Sequence, residues 1–219
     1  MRIAIDGTAA SGKGTLAKAL AKALGYAYID TGALYRAIAH LAYEQNVSWS
    51  DEAQLQRIAQ SADLNFVTRG KDLLLFCGDE DLSLAIRQDH ISKGASEVSV
   101  HVGVREALLI VQKEMAQQEN VIMDGRDIAS VIMPNADVKV FIDADVNIRA
   151  QRRLDQIHKK NPTITYESVL QDLQRRDHQD RTRDIAPLIC VPDAKILDTS
   201  TATIEESLTK LLEWCQKQK

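Results

Sequence analysis

Nine residues near the start of the chain constrain its fold more than any other feature, and they read Gly7-Thr8-Ala9-Ala10-Ser11-Gly12-Lys13-Gly14-Thr15. Residues 2–6, before them, are short and apolar, as in a buried parallel strand. After them, apolar residues recur at helical spacing until Gly25, which predicts a helix that ends at this glycine. A strand, a glycine-rich loop and a helix in this order predict a phosphate-binding loop, because the backbone N–H groups and the lysine can surround phosphate oxygens.

The loop departs from the strict motif at one position. Gly14 follows the lysine where the motif has serine or threonine, and the hydroxyl comes one residue later, at Thr15. The magnesium-binding role of that hydroxyl therefore does not transfer directly to Thr15. The GKGT form resembles nucleoside monophosphate kinases more than switch GTPases.

Strands and helices alternate along most of the chain. Besides residues 2–6, short apolar runs at 27–30, 121–124, 138–143 and 195–198 predict strands. Residues 32–46 predict a second helix, and Thr203 with Glu206 forms a capping-box pattern at the start of the last one. This alternation is typical of an α/β fold with a central parallel sheet.

One stretch interrupts the alternation. Residues 64–68 and 72–77 flank Arg69-Gly70-Lys71, which predicts an antiparallel hairpin, and Gly78-Asp79-Glu80-Asp81 predicts another turn. We interpret residues 60–97, approximately, as a small α+β insertion. The chain has no repeats and no linker-like segment, so residues 1–219 are expected to form a single domain.

Composition excludes several classes of protein. No apolar run approaches the 18 residues or so of a membrane span. The start of the chain lacks the pattern of a secretory signal, and Cys77, Cys190 and Cys215 are too few and too far apart for a disulfide framework or a structural zinc site. A pI near 5.8 disfavours nucleic-acid binding by bulk charge. We therefore expect a cytoplasmic protein with no membrane and no nucleic-acid partner.

Positive charge is concentrated in one segment. Residues 149–183 carry nine Lys and Arg against five Asp and Glu, whereas the whole chain has a net charge of −4. Such a segment is either a local anion site or a solvated helix surface of mixed charge.

A phosphate loop leaves three functions open. A switch GTPase needs an NKxD sequence to read guanine, and this chain has none. A kinase that phosphorylates a hydroxyl group needs a general base. A nucleoside monophosphate kinase needs no base, since its acceptor oxygen is already anionic, but it needs several arginines to hold two phosphate groups that repel each other. The arginine content favours the third function.

Two further motifs lie at the ends of predicted strands. DTGALYR occupies residues 30–36, and DGRD occupies residues 124–127. Ligands of open α/β sheets bind at the carboxyl ends of the strands, so both motifs are candidates for acceptor binding. The alternative is that Asp30 caps a helix and that Arg126 and Asp127 form a surface ion pair.

Taken together, these motifs resemble the bacterial cytidylate kinases from about Ile3 to Asp198. The residues that carry the resemblance are GTAASGKGT, DTGALYR, ASEV, VREALL, DGRD, RRDHQDRTRDIAPL and LDTST. Adenylate kinases share the first of these motifs but not DTGALYR, DGRD or the arginine-rich run.

The resemblance implies a role for each matching residue. The loop residues Gly7, Thr8, Ala9, Ala10, Ser11, Gly12, Lys13, Gly14 and Thr15 would bind ATP. Lys13, Arg126 and Arg183 would act directly in the transfer. Arg36, Arg126 and Arg183 would hold the acceptor phosphate, and Arg176 and Asp180 would meet the ribose hydroxyl. Ser96, Arg105 and Asp127 would read the cytosine edge, in a pocket lined by Thr31 and Tyr35.

The same resemblance implies a three-layer P-loop kinase fold. Its monophosphate-binding region would span about residues 31–105, enlarged by the insertion, and a helical lid would span about residues 148–187. The implied reaction transfers phosphate from ATP, with Mg2+, directly to CMP or dCMP, and the implied enzyme is a monomer. The residues assign no protein ligand to Mg2+. Another monophosphate or a small hydroxyl compound remains the alternative acceptor.

This sequence departs from the family pattern at two positions. Thr8 stands where the family loop usually has proline. Gly103 stands where the family often has an arginine two residues before Arg105.

Overall fold

The structure, a computed structural model, describes residues 1–69, 72–158 and 162–217. These residues form two compact units, one made of Met1–Ala27 with Glu119–Lys219 and the other of Tyr28–Gln118. The strands are β1 (Arg2–Gly7), β2 (Ala27–Asp30), β3 (Leu64–Arg69), β4 (Asp72–Cys77), β5 (Glu80–Asp81), β6 (Val121–Gly125), β7 (Val138–Asp143) and β8 (Lys195–Asp198). The α-helices are α1 (Lys13–Leu24), α2 (Thr31–Glu44), α3 (Glu52–Ser61), α4 (Asp89–Val98), α5 (Val102–Met115), α6 (Val146–His158), α7 (Tyr166–Thr182) and α8 (Ile204–Gln216).

A central parallel sheet has the strand order β2-β6-β1-β7-β8. β1 pairs in parallel with β6 on one side and β7 on the other, and β7 pairs in parallel with β8. Ile3, Ala4 and Ile5 are completely buried, as expected for a parallel strand covered on both faces. The α/β fold predicted from the alternation of strands and helices is confirmed.

Local signals place the ends of several helices correctly. Gly25 adopts a left-handed conformation and ends α1, because glycine enters that region without steric cost. The Thr203 hydroxyl accepts from the Glu206 N–H while the Glu206 side chain accepts from the Thr203 N–H, which is the predicted capping box of α8. α2 begins at Thr31, one residue earlier than predicted, because the extended residue Asp30 immediately precedes it. It ends at Glu44, two residues short of Asn46, which has a left-handed conformation.

In the unit Tyr28–Gln118, helices pack with a small antiparallel sheet. β3 and β4 form the predicted hairpin, with a register that runs from Leu64 opposite Cys77 to Arg69 opposite Asp72. The predicted turn residues Gly70 and Lys71 lie outside the described residues. Buried apolar residues from α2, α3, α4 and α5 join those of the hairpin in a single core cluster.

The other unit contains the arginine-rich segment. The described residues of this segment form the packed helices α6 and α7. Lys159 and Lys160, two of its nine basic residues, lie outside the described residues. No α-helix in the described ranges has the length and hydropathy needed to cross a membrane. All three cysteines are free thiols.

Candidate active site

The phosphate loop connects β1 to α1 as a tight turn. Gly12 has a left-handed conformation (φ 85°) immediately before the first helical residue, Lys13. Gly7 has no room for a side chain, since an added Cβ would collide with the carbonyl group of Ile142 on β7. The glycines of the motif are thus required by close backbone approach at Gly7 and by the turn into the helix at Gly12.

Side chains within the loop hold its backbone. Ser11 Oγ donates to the carbonyl of Thr8 at 3.0 Å, and Lys13 Nζ lies 3.4 Å from the same oxygen. The amino group therefore lies back over the loop, where phosphate oxygens would be held. The Thr8 hydroxyl donates to Asp143 Oδ1 at 2.6 Å, so threonine provides at this position a bond that the usual proline of the family cannot make.

A buried cluster of charges lies in the same unit. Arg126 Nε donates to Asp180 Oδ2 at 2.7 Å, and Arg183 Nη1 lies 3.7 Å from the other carboxylate oxygen. Arg183 also donates to the carbonyl of Ala186 and lies 4.0 Å from Asp127 Oδ1. The structure thus brings together residues that are 54 positions apart in the sequence, and Asp180 joins two of the three arginines predicted to hold the acceptor phosphate.

Electrostatics in this cluster favour an anionic ligand. Burial alone would raise the pKa of Asp180, but Arg126, Arg183 and Arg176 lower it below its ordinary value. Burial lowers the pKa of Arg176, and the charge of Arg126 lowers it further. A phosphate group would relieve this repulsion between arginines.

A buried carboxylate fixes the DGRD segment, and sequence reasoning missed it. Asp6, the last residue of β1 before Gly7, accepts the N–H groups of Ile128 and Ala129 at 2.8 Å each. Burial raises the pKa of Asp6 to about 7, although both N–H groups oppose that change. The signal for this role was a carboxylate inside an apolar strand, since buried carboxylates require partners.

The remaining predicted contacts belong to the unit Tyr28–Gln118. Arg36 forms an ion pair with Asp30 at 2.7 Å, and Gly32 leaves the space in which this pair forms. The Arg105 guanidinium lies over the Tyr35 ring, 5.5 Å from its centre, and Nη1 donates to the carbonyl of Ser99. Each of these two arginines thus already has a partner that orients it.

Thr31, predicted to line the cytosine pocket, and Ser96, predicted to read the cytosine edge, are both buried. Thr31 is the first residue of α2, and Ser96 lies on α4. At Gly103, where the family often has an arginine, the side chain of Gln56 on α3 occupies the space that a Cβ would enter. The contact between α3 and α5 therefore fills the space in which the side chain of that arginine would begin.

A magnesium ion would have to be held mainly by phosphate oxygens and water. No group of three or more His, Cys, Asp or Glu side chains within the described ranges could hold a metal on its own.

Comparison with known proteins identifies the family. The family model for cytidylate kinase matches residues 3–217, nearly the whole chain. The chain belongs to the cytidylate kinase family. It is 46% identical to a cytidylate kinase of Neisseria meningitidis over 212 residues, which cover 97% of this chain and 95% of that protein. It is 40% identical to the cytidylate kinase of Bacillus subtilis strain 168 over 213 residues, with the same two coverages.

The fold agrees with this family. A shikimate kinase from Bacteroides thetaiotaomicron has a similar structure, with a TM-score of 0.52 and 18% identity over 99% of this chain and 98% of that one. The likeness at this identity concerns the fold alone. Membership of the cytidylate kinase family makes the protein a nucleoside monophosphate kinase with a P-loop fold, as the sequence motifs predict.

Proposed function

We propose that the protein transfers the γ-phosphoryl group of ATP directly to CMP and dCMP, producing CDP and dCDP in pyrimidine nucleotide metabolism. Identities of 40–46% to cytidylate kinases support this substrate class. The observation that carries the proposal is the buried cluster of Arg126, Asp180 and Arg183, which lies in the same unit as the phosphate loop. Such a cluster suits a second phosphate group in addition to the one that the loop would hold.

ATP would bind with its phosphates on the loop at residues 7–15. The N–H groups of the loop and the start of α1 supply partial positive charge, and Lys13 neutralises charge on the transferring group. Mg2+ would supply further neutralisation of the phosphate charge, and no protein ligand is assigned to the ion. The chain itself then mainly has to position the two phosphates in line.

The acceptor phosphate would be held by Arg36, Arg126 and Arg183. Planar guanidinium groups bind phosphate oxygens in a bidentate manner, and two of these arginines are already oriented by Asp30 and Asp180. Exchange of a carboxylate partner for a phosphate keeps each arginine paired. Arg176 and Asp180 would bind the ribose hydroxyl.

Cytosine would be recognised by Ser96, Arg105 and Asp127, in a pocket lined by Thr31 and Tyr35. A carboxylate can accept from the N4 amino group, and a guanidinium can donate to N3 or O2. Uracil reverses the pattern at N3 and at position 4, so it would leave polar groups unpaired. This chemistry favours CMP and dCMP over UMP.

An ADP-release assay over a panel of acceptors tests the proposal. The panel contains CMP, dCMP, UMP and AMP together with hydroxyl compounds such as shikimate and gluconate. We expect the highest kcat/KM for CMP and dCMP and no turnover of the hydroxyl compounds. Turnover of a hydroxyl compound, or a preference for another monophosphate, would contradict the proposal.

A further inference from the structure

The carbonyl groups of the phosphate loop are held by side chains from distant parts of the chain. The carbonyl of Ala9 accepts from Arg149 Nη1 at 3.1 Å, and the carbonyl of Ser11 accepts from the Thr199 hydroxyl at 2.9 Å. In a trans peptide the C=O and N–H groups point in opposite directions, and the described chain has no cis bonds. Holding the Ala9 carbonyl on one side therefore directs the N–H of Ala10 to the other.

Arg149 is committed to this protein environment through all three of its nitrogens. Nε donates to the carbonyl of Ala144 at 2.8 Å, Nη1 donates to Ala9, and Nη2 pairs with Asp177 Oδ2 at 2.7 Å. Only 4% of Arg149 is exposed. An arginine buried with this set of acceptors faces protein and not solvent.

The loop also has an apolar contact with the same two helices. Ala9 belongs to a buried cluster with Ala150 of α6 and with Val169 and Leu173 of α7. Arg149 lies on α6 and Asp177 on α7, so polar and apolar contacts join both helices to the loop. The placement of the Ala9 peptide thus depends on this helix pair.

Ala10 shows why the loop needs this support. Its φ of 59° is in the left-handed region, which residues other than glycine seldom adopt. A peptide that leads into such a conformation will relax unless its neighbours hold it. The hydrogen bond from Arg149 to the Ala9 carbonyl acts on that peptide.

We propose that Arg149 is a positioning residue that holds the Ala9–Ala10 peptide with its N–H turned toward the ATP phosphates, and that Asp177 orients the Arg149 guanidinium. The inference rests on the proposed function for the identity of the phosphate ligand. It gives the arginine-rich segment a second role, which is to hold the backbone of the phosphate loop in place.

The substitution Arg149→Met removes the donors and keeps an apolar stem of similar length. We expect it to weaken the binding of ATP by about 10- to 100-fold, the effect of losing a charge-assisted hydrogen bond that orders a phosphate ligand site. Arg149→Lys keeps the charge but carries its donors on a single nitrogen in place of the three that bond here, and it is expected to fall between Met and wild type. Asp177→Asn keeps an oxygen for the guanidinium, so its effect is expected to be about 3- to 10-fold.

Calorimetric titration with ATP and with inorganic tripolyphosphate, without an acceptor, measures the loop directly. Arg175→Met is the matched control, because Arg175 is exposed on α7 and pairs with Asp172 of the same helix. Circular dichroism and the melting temperature of each variant report folding separately from binding. We expect the binding of both ligands to weaken in parallel, least in Asp177→Asn, more in Arg149→Lys and most in Arg149→Met. The control should bind both ligands as the wild type does.

Folded Arg149 variants that bind tripolyphosphate as tightly as wild type, whatever their melting temperature, would overturn the inference. If Arg149→Met does not fold, Arg149→Lys and Asp177→Asn decide the matter by the same criterion. Failure of the wild type to bind tripolyphosphate would overturn the inference and the phosphate-loop interpretation together. If the variants weaken tripolyphosphate binding in the expected order but the wild type does not phosphorylate CMP, only the proposed function is contradicted.

Discussion

Asp180→Asn tests the electrostatic structure of the arginine cluster most directly. The side chain of Asp180 is 12% exposed; its carboxylate accepts from Arg126 Nε at 2.7 Å and has Arg183 Nη1 at 3.7 Å. Arg176 is a third positive neighbour. Asparagine retains the shape of the side chain and one oxygen, but it removes the negative charge that these three guanidinium groups share.

The expected loss of stability follows from these contacts. A hydrogen bond between charged groups contributes about 1.5–3 kcal/mol. For a chain of this length each kcal/mol changes the melting temperature by roughly 2–4 °C, so Asp180→Asn should melt about 3–12 °C below wild type near neutral pH. The folded-state pKa of Asp180 is lowered, so its stabilising contribution is complete above the ordinary value of 3.8 and is lost as the pH falls through the folded-state pKa. The difference between variant and wild type should therefore narrow in acid below pH 3.8.

Scanning calorimetry of wild type and variant measures both effects. Asp193→Asn provides a control, because Asp193 is an exposed partner of Lys139 in the same unit and its loss should change the melting temperature little. Inorganic phosphate should stabilise Asp180→Asn more than wild type, since the anion replaces the missing carboxylate. Equal melting temperatures at neutral pH, or equal stabilisation by phosphate, would refute this account of the cluster.

Four further predictions follow from the site. Lys13→Ala should lower kcat by orders of magnitude in a folded protein while Lys22→Ala, on the same helix, leaves kcat near wild type; normal activity of Lys13→Ala would contradict the phosphate-loop interpretation. The wild type should prefer CMP to UMP by on the order of a hundredfold in kcat/KM, and Asp127→Asn should reduce that ratio because an amide can donate to O4 of uracil. Protease cleavage within residues 149–183 should slow when both nucleotides are bound, whereas equal cleavage would count against closure of the segment. The free energy of unfolding should decline as the pH rises from 4 to 7, because Asp6, with its pKa raised to about 7, keeps a proton in the folded chain that the unfolded chain releases. Asp6→Asn should flatten that decline in urea titrations at each pH.

Local signals in the sequence predicted much of the fold. The phosphate loop, the end of α1 at Gly25 and the capping box at Thr203 each depend on residues within a few positions of one another. The hairpin of β3 and β4 is likewise local, since its strands are neighbours in the sequence. Such features can be predicted because the residues that interact lie within the same short stretch of sequence that carries the pattern.

Contacts between distant residues could not be predicted in the same way. The pairing of Arg126 with Asp180 depends on where α7 lies relative to the end of β6. In the sequence Arg149 is one of nine basic residues of its segment, and only the fold distinguishes it from the other described arginines there, which are partly buried or exposed. Neither composition nor spacing distinguishes an arginine that donates to backbone carbonyl groups from one that binds a phosphate.

The state of the carboxylates explains why this site suits a phosphate acceptor better than a hydroxyl acceptor. A hydroxyl kinase requires a carboxylate that can take a proton, and proton transfer is efficient when its pKa is near the working pH. Arginines lower the pKa of Asp180, so this carboxylate is a poor base. The pKa of Asp6 is suitable, but its two oxygens accept backbone N–H groups and it is buried. Asp180 orients arginines, and an acceptor that arrives as an anion requires nothing more of it.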